Sequence, residues 1–211
     1  MCGDRVAIEQ IRVGYDNFSY VIYCPVHKKA AIVDPGVDAA QSLLFLAKKK
    51  LILDYIILTH HHSDHCAETG TIKELFPFSK IVTSKEDGEK LPMKPDFVVS
   101  DGSQIQVGNI RLSFLATPGH TRGGICIIVD DNALLTGDTL FIGDCGRTDL
   151  AGGSLAQMFR TLQEKILPLP DELMVYPGHD YGKRPFDSLG NQKRTNKTLV
   201  AKNLKEFSSI P

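Results

Sequence analysis

The chain has 211 residues, 42% of them hydrophobic and 23% charged, with a net charge of -1 at pH 7, which suits one domain over residues 1–211 and excludes a disordered or collagen-like chain. The near-neutral balance gives no electrostatic footprint for nucleic acid, and no apolar run approaches the roughly 18 residues of a membrane span. The start, MCGDRVAIEQ, lacks the pattern of a signal peptide, and the five cysteines (Cys2, Cys24, Cys66, Cys126, Cys145) are odd in number and free of CxxC spacing, as expected of reduced thiols in a cytoplasmic protein.

In chain order, VAIEQIRV, FSYVIYC, KAAIVDPG and DYIILTH read as strands, the third closed by a Pro-Gly turn. Between the third and fourth, DAAQSLLFLAKKK spaces its apolar residues as a helix does, with Asp38 as the expected N-cap. A second helix is expected from near Asp64 to about Leu75, ahead of Pro77. The strands KIVTS, PDFVVS, SQIQV, IRLSFLAT, GICIIVD and NALLTG follow. Helical spacing returns at SLAQMFRTLQEKIL and NQKRTNKTLVAKNLKEF, on either side of the short strand ELMVYPG. Meandering strands with interspersed helices predict an α/β fold in which sheets pack together and helices cover them. The basic residues near the C-terminus, Lys183 to Lys205, read as a solvated helix face. Cys24 and Cys126 fall in strand-like runs and are expected in the core, and Cys66 at a helix start.

The stretch ILTHHHSDHCAETG holds four of the seven histidines and an aspartate within six positions, at the end of an apolar strand. Alternate residues of an extended segment point the same way, so His60 and His62 can reach one point beyond the strand end. Asp64 and His65 start the next helix and can aim at a neighbouring point, while His61 faces away. Imidazole nitrogen and carboxylate oxygen are ligands that zinc and iron accept at about 2.0–2.2 Å. Three later strand ends supply further candidates: Pro118-Gly119 presents His120, Gly137 precedes Asp138, and YPGHDYG presents His179. The glycines permit the tight turns that let these side chains approach a shared site. His27, in PVHKK, has no such association.

The motif THxHxDH (Thr59 to His65), followed by PGHT, GDTLF and a late PGH, resembles the metallo-β-lactamase superfamily, and the likeness extends from DNFSYVIY and IVDPG to RTN near residue 195. The resemblance implies an αββα four-layer sandwich with a metal site at one edge. Carried over by position, it implies His60, His62 and His120 as ligands of one metal, Asp64, His65 and His179 as ligands of a second, and Asp138 as the bridge between them. It also implies that Asp34, in IVDPG, orients a ligating imidazole.

Within the superfamily, an aspartate at position 138 and the absence of a signal sequence argue against an antibiotic-degrading enzyme. The length and charge argue against a nuclease. DTLF, GRTDLAGGS, YPGHDYG and KRTN are similar to the glyoxalase II group of thioester hydrolases, which implies a small thiol-derived substrate such as an acyl-glutathione. The helical domain that grips glutathione carboxylates in glyoxalase II has no counterpart after His179, so Arg147, Tyr181, Lys183 and Arg184 become the candidates for substrate binding. Two divalent ions, zinc or iron, would lower the pKa of a water from about 15.7 towards 7, with Asp64 holding or receiving its proton. GDCGRTD and YPGHDY also resemble persulfide dioxygenases, in which a single Fe(II) is held by positions matching His60, His120 and Asp138. A purely structural zinc site is disfavoured, since such sites are usually closed and cysteine-rich.

Overall fold

A computed structural model describes residues 7–210 and arranges their strands in two six-stranded sheets. The first runs in sequence order: β1 (Ala7–Val13), β2 (Asn17–Cys24), β3 (Lys29–Val33), β4 (Ile52–Ile57), β5 (Lys80–Ser84) and β6 (Phe97–Val99). The first three pair antiparallel, and β3 to β6 pair parallel. Parallel neighbours require crossovers, supplied by α1 (Ala40–Lys49), by α2 (Ser63–Cys66) with α3 (Thr69–Leu75), and by α4 (Lys85–Gly88).

The second sheet has the order β12 (Asp187–Ser188), β11 (Met174–Pro177), β10 (Ala133–Gly137), β9 (Ile125–Val129), β8 (Ile110–Ala116) and β7 (Gln104–Val107). Only the β10–β11 pair is parallel, and α5 (Leu155–Thr161), prolonged by a π-helical turn over Leu162–Ile166, crosses between them. Two short helices, α6 (Leu189–Thr195) and α7 (Leu204–Ser208), complete the outer layer.

Three apolar layers hold the sandwich together. Between the sheets, Phe18, Tyr20, Ile22, Val33 and Ile57 of the first pack with Leu112, Phe114, Ile127 and Leu135 of the second. Residues one place out of phase face outward: Val21, Ile32 and Ile56 meet Leu46 and Ile72, and Leu134 and Val175 meet Met158, Leu162 and Phe207. Strands buried on both faces lose the apolar-polar alternation of a solvated sheet, which explains the near-continuous apolar runs in β2, β3 and β10. The result is the αββα sandwich that the sequence resemblance implied.

Several elements differ from expectation. The helix expected from Asp64 to Leu75 is two, because the backbone near its break bonds the Pro35-Gly36 turn: Gly36 N–H donates to the His65 carbonyl at 2.9 Å and Glu68 N–H to the Gly36 carbonyl at 3.0 Å. Asp38 accepts the Ala40 N–H at 2.9 Å from one residue outside the cap position, which is Ala39. The last helical pattern is interrupted at Asn196, whose amide donates to the carbonyls of Phe141 and Asp144 at 3.0 Å each. The basic C-terminal run is partly paired, Lys193 with Asp171 at 2.6 Å and Lys197 with Asp144 at 2.8 Å. Cys24 and Cys126 are buried and free, as expected, whereas Cys2 and Val6 lie outside the described residues. No described helix is long and apolar enough to cross a membrane.

Candidate metal centre

The ends of β4, β8, β10 and β11 and the turn before β2 all open on one edge of the sandwich. His60, His62, Asp64 and His65 follow β4, His120 follows β8, Asp138 follows β10 and His179 follows β11. Of the three groups of donor atoms that form there, each within 4.8 Å of one another, two hold candidate ligands only, His60, His62 and His120 in one and Asp64, His65 and His179 in the other, while the third joins Asp34 to His60 and His65. All seven candidate ligands therefore converge. Asp138 lies between the groups, with Oδ2 3.5 Å from His120 Nε2 and 3.3 Å from His179 Nε2, and Oδ1 3.4 Å from His65 Nε2. Donors around a tetrahedral ion stand about 3.3–3.6 Å apart at ordinary bond lengths.

Hydrogen bonds on the far side of each ring decide which nitrogen faces inward. His120 Nδ1 donates to the Arg147 carbonyl at 2.7 Å, His65 Nδ1 to Asp34 at 3.2 Å and His179 Nδ1 to Asp16 at 3.0 Å. Thr59 Oγ1 donates to Asp34 at 2.6 Å, so it accepts from His60 Nδ1, 3.1 Å away. Each of these four rings consequently turns Nε2 towards the centre, in the tautomer a metal ligand needs. Two such nitrogens, on His65 and His179, stand 3.2 Å apart, and His62 Nδ1 stands 2.9 Å from His120 Nε2. Acceptors this close require a cation or a proton between them. His60 Nε2 and Asp138 Oδ1 are buried with no hydrogen-bond partner at all. A buried polar atom without a partner is costly, and a divalent cation would satisfy both. The donor set therefore fits a metal.

Electrostatics without a cation describe the same centre. Burial, reinforced by the His65, His120 and His62 imidazoles, holds His60 well below the usual histidine range. Burial disfavours charge on His179 too, but its hydrogen bonds to Asp138 and Asp64 outweigh that and raise it to about 10. Burial works against ionised Asp138, yet His65, His179 and His60 hold it well below the carboxylate range. Asp64 is held low in the same way, by His179, His65 and Asn17 against desolvation. The centre thus favours ionised carboxylates.

The backbone is built for this convergence. Asp34 adopts a left-handed φ of 49°, a costly conformation for a non-glycine, where its carboxylate accepts from the Thr59 N–H at 2.8 Å, the Thr59 hydroxyl and His65. A Cβ on Gly137 would stand 2.4 Å from Thr59 Oγ1, and one on Gly178 would stand 2.3 Å from Asp138 Oδ1. His61 points away, to Asp87 at 3.0 Å, and His27 meets Cys24.

The centre opens into a cleft of about 490 Å³ lined in part by Phe141, Cys145, Arg147 and Tyr181. Tyr181 stacks on His179 with ring centroids 4.7 Å apart. Arg147 reaches the cleft but is paired with Asp149 through two 2.7 Å bonds. Lys183 and Arg184 are not brought to the metal cleft: they line an adjoining hollow of about 460 Å³ that shares Tyr181 and Asp144. Burial and Asp144 push the Cys145 thiol up to about 12, which removes it as a nucleophile near neutral pH.

Sequence reasoning missed Asp16 and Asn17, which lie in the quoted DNFSY and reach the centre across the whole chain. An Asp-Asn pair in a turn reads first as turn chemistry, and only the pairing of this turn with the β11 loop gives it another role.

A family model described as the metallo-beta-lactamase superfamily matches residues 13–179, and the chain belongs to that superfamily. It is 32% identical over 186 residues to the mitochondrial persulfide dioxygenase ETHE1 of Bos taurus, covering 87% of this chain and 72% of that one. It is 38% identical over 178 residues to the hydroxyacylglutathione hydrolase of Brucella anthropi, covering 84% and 66%. The crystal structure of ETHE1 from Myxococcus xanthus superposes with a TM-score of 0.86 at 29% identity, covering 97% of this chain and 92% of that one.

Proposed function

We propose that the protein is a metal-dependent hydrolase that cleaves the thioester of a small thiol carrier such as an acyl-glutathione. The observation that carries this reading is Asp138, whose carboxylate lies within 3.5 Å of ligand nitrogens from both groups and so suits two ions. Two divalent cations, zinc or iron, would polarise an acyl carbonyl and acidify a water between them. Asp64, half-buried and held ionised, would accept a hydrogen bond from that water and hold it for attack. Tyr181 and Phe141 wall the cleft beside His179 and limit the poses of an acyl group. No general acid is assigned, because His61 is tied to Asp87 and Asp180 to Arg12. A thioester suits that lack, since a thiolate leaves without a proton. Arg147 and Tyr181 are proposed to contact the carrier, with Lys183 reached only by a carrier long enough to enter the adjoining hollow. The four free cysteines among the described residues agree with a reducing, cytoplasmic setting.

A second reading has a specific observation behind it. Two candidate-ligand atoms that are buried without partners, His60 Nε2 and Asp138 Oδ1, together with His120 Nε2, form the two-histidine, one-carboxylate set that suits Fe(II) oxygen chemistry, and the Bos taurus ETHE1 relative carries that activity in its name. The decisive experiment loads the protein anaerobically with Fe(II) or Zn(II) and measures thioester cleavage of acyl-glutathiones and oxygen uptake with glutathione persulfide. Cleavage that needs Asp138, without oxygen uptake, is expected. Stoichiometric oxygen uptake that survives His179→Ala would replace the hydrolase with the dioxygenase.

A further inference from the structure

The two ligand groups differ in one respect that their sequence motifs do not reveal. The Asn17 side-chain nitrogen lies 2.9 Å from Asp64 Oδ2, 3.4 Å from His65 Nε2 and 3.5 Å from His179 Nε2. Those are the three inward-facing atoms of the second group, and one N–H₂ stands against all of them. The ionised Asp64 carboxylate only accepts, so the amide turns its nitrogen and not its oxygen towards this spot. Among the described residues no amide serves the first group: His60 Nε2 has no partner, and His120 Nε2 is met at 2.9 Å by His62 Nδ1, itself a candidate ligand of that group.

Asn17 is also held in place. Its backbone bridges to His179, and the residues beside it are tied on both sides: Phe18 N–H donates to the Gly178 carbonyl and Asp180 N–H to the Asp16 carbonyl, each at 2.8 Å. The residue is buried at the start of β2. Its side chain can leave the ligand atoms by rotating about its own bonds but not by moving its backbone.

We infer that Asn17 is a built-in competitor for the second metal, so that the centre fills in two unequal steps. The first ion meets unpartnered donors at His60 and Asp138. The second must displace a neutral hydrogen-bond donor that already satisfies the charged Asp64, and hydrogen bonds to ionised groups are the stronger kind. The inference rests on the reading that these groups hold metal. It adds that the balance between one and two ions is set by a residue that is not among the seven candidate ligands.

The test is a titration of metal-free protein with Zn(II), followed by calorimetry and elemental analysis, with Co(II) absorption as an independent readout. Wild type should bind two ions in separable steps, the second roughly tenfold or more weaker, the scale on which groups bonded to metal ligands act. Asn17→Leu, which keeps the side chain's size and removes the donor, should narrow the gap by roughly tenfold and leave the first step unchanged. Asn17→Asp, which also adds charge, should narrow it further. Two ions entering wild type in one indistinguishable step would overturn the inference, as would an unaltered gap in both variants with native circular dichroism. Failure of the hydrolase reading would show separately, as absent thioester turnover at either occupancy with the two-step titration intact. Absence of any saturable binding would remove the metal reading and this inference together.

Discussion

The first sheet presents His60, His62, Asp64 and His65 from one loop and the short helix behind it, whereas the second presents His120, Asp138 and His179 from the ends of three separate strands. The first set is positioned locally. Asp34 fixes Thr59 and His65, and the His62 carbonyl accepts the His65 N–H at 3.0 Å. The second set is positioned by close packing at glycines, where Gly119 lies against Met158, Gly137 against Thr59 and Gly178 against Asp138. One half of the centre therefore rests on hydrogen bonds between neighbouring strand ends of one sheet. The other depends on close packing at glycines, of which Gly137 against Thr59 joins the two sheets.

Five substitutions test that contrast, in decreasing order of expected effect. His60→Ala and Asp138→Ala each remove a ligand from one half, and elemental analysis should find at least one metal equivalent lost. Turnover should fall roughly 10³-fold, the several kcal/mol a metal contributes; near-wild-type turnover in either would sink a two-ion scheme. Gly178→Ala drives a methyl group into Asp138 and should cost about 1–3 kcal/mol in denaturant unfolding, together with metal. Stability and metal content both unchanged would show that the second half tolerates displacement. Asp34→Asn keeps the volume but weakens the bonds that orient His65 and Thr59, so metal affinity should drop roughly 10–100-fold while the fold persists. Last, Arg147→Ala, exposed and paired with Asp149, should raise KM a few-fold and leave kcat alone, since solvent screens an exposed ion pair. A change in kcat alone would place this side chain in the chemistry instead of the grip.

The same contrast decides what was legible in the sequence. His60, His62, Asp64 and His65 announce themselves because strand and helix periodicity carry four ligands to one loop. His120, Asp138 and His179 are each an ordinary turn until the resemblance joins them, since nothing local says that three strand ends share an edge. The strands were legible wherever apolar runs ended in turn residues. The helix breaks at Ala67 and Asn196 were not, because both arise from bonds to distant backbone at Gly36, Phe141 and Asp144. Asp16 and Asn17 escaped for a related reason: their partners lie across the fold, and no spacing rule links residue 17 to residue 179. Lys183 was drawn in by its nearness in sequence to His179, but the chain turns it into the neighbouring hollow.

The antiparallel bridge between Asn17 and His179 joins residues 162 positions apart. Closing a loop of that length carries an entropic cost that grows as (3/2)RT ln n, and contacts of such separation are slow to form. The metal-binding edge is thus expected to close late in folding. On the ribosome, the His60–His65 loop emerges long before His179, so a complete ligand set exists only once His179 has been made. Loading of the centre is therefore an event of the finished fold, and a chain truncated before β11 should display the most conspicuous metal motif in the sequence without the second half needed to complete it.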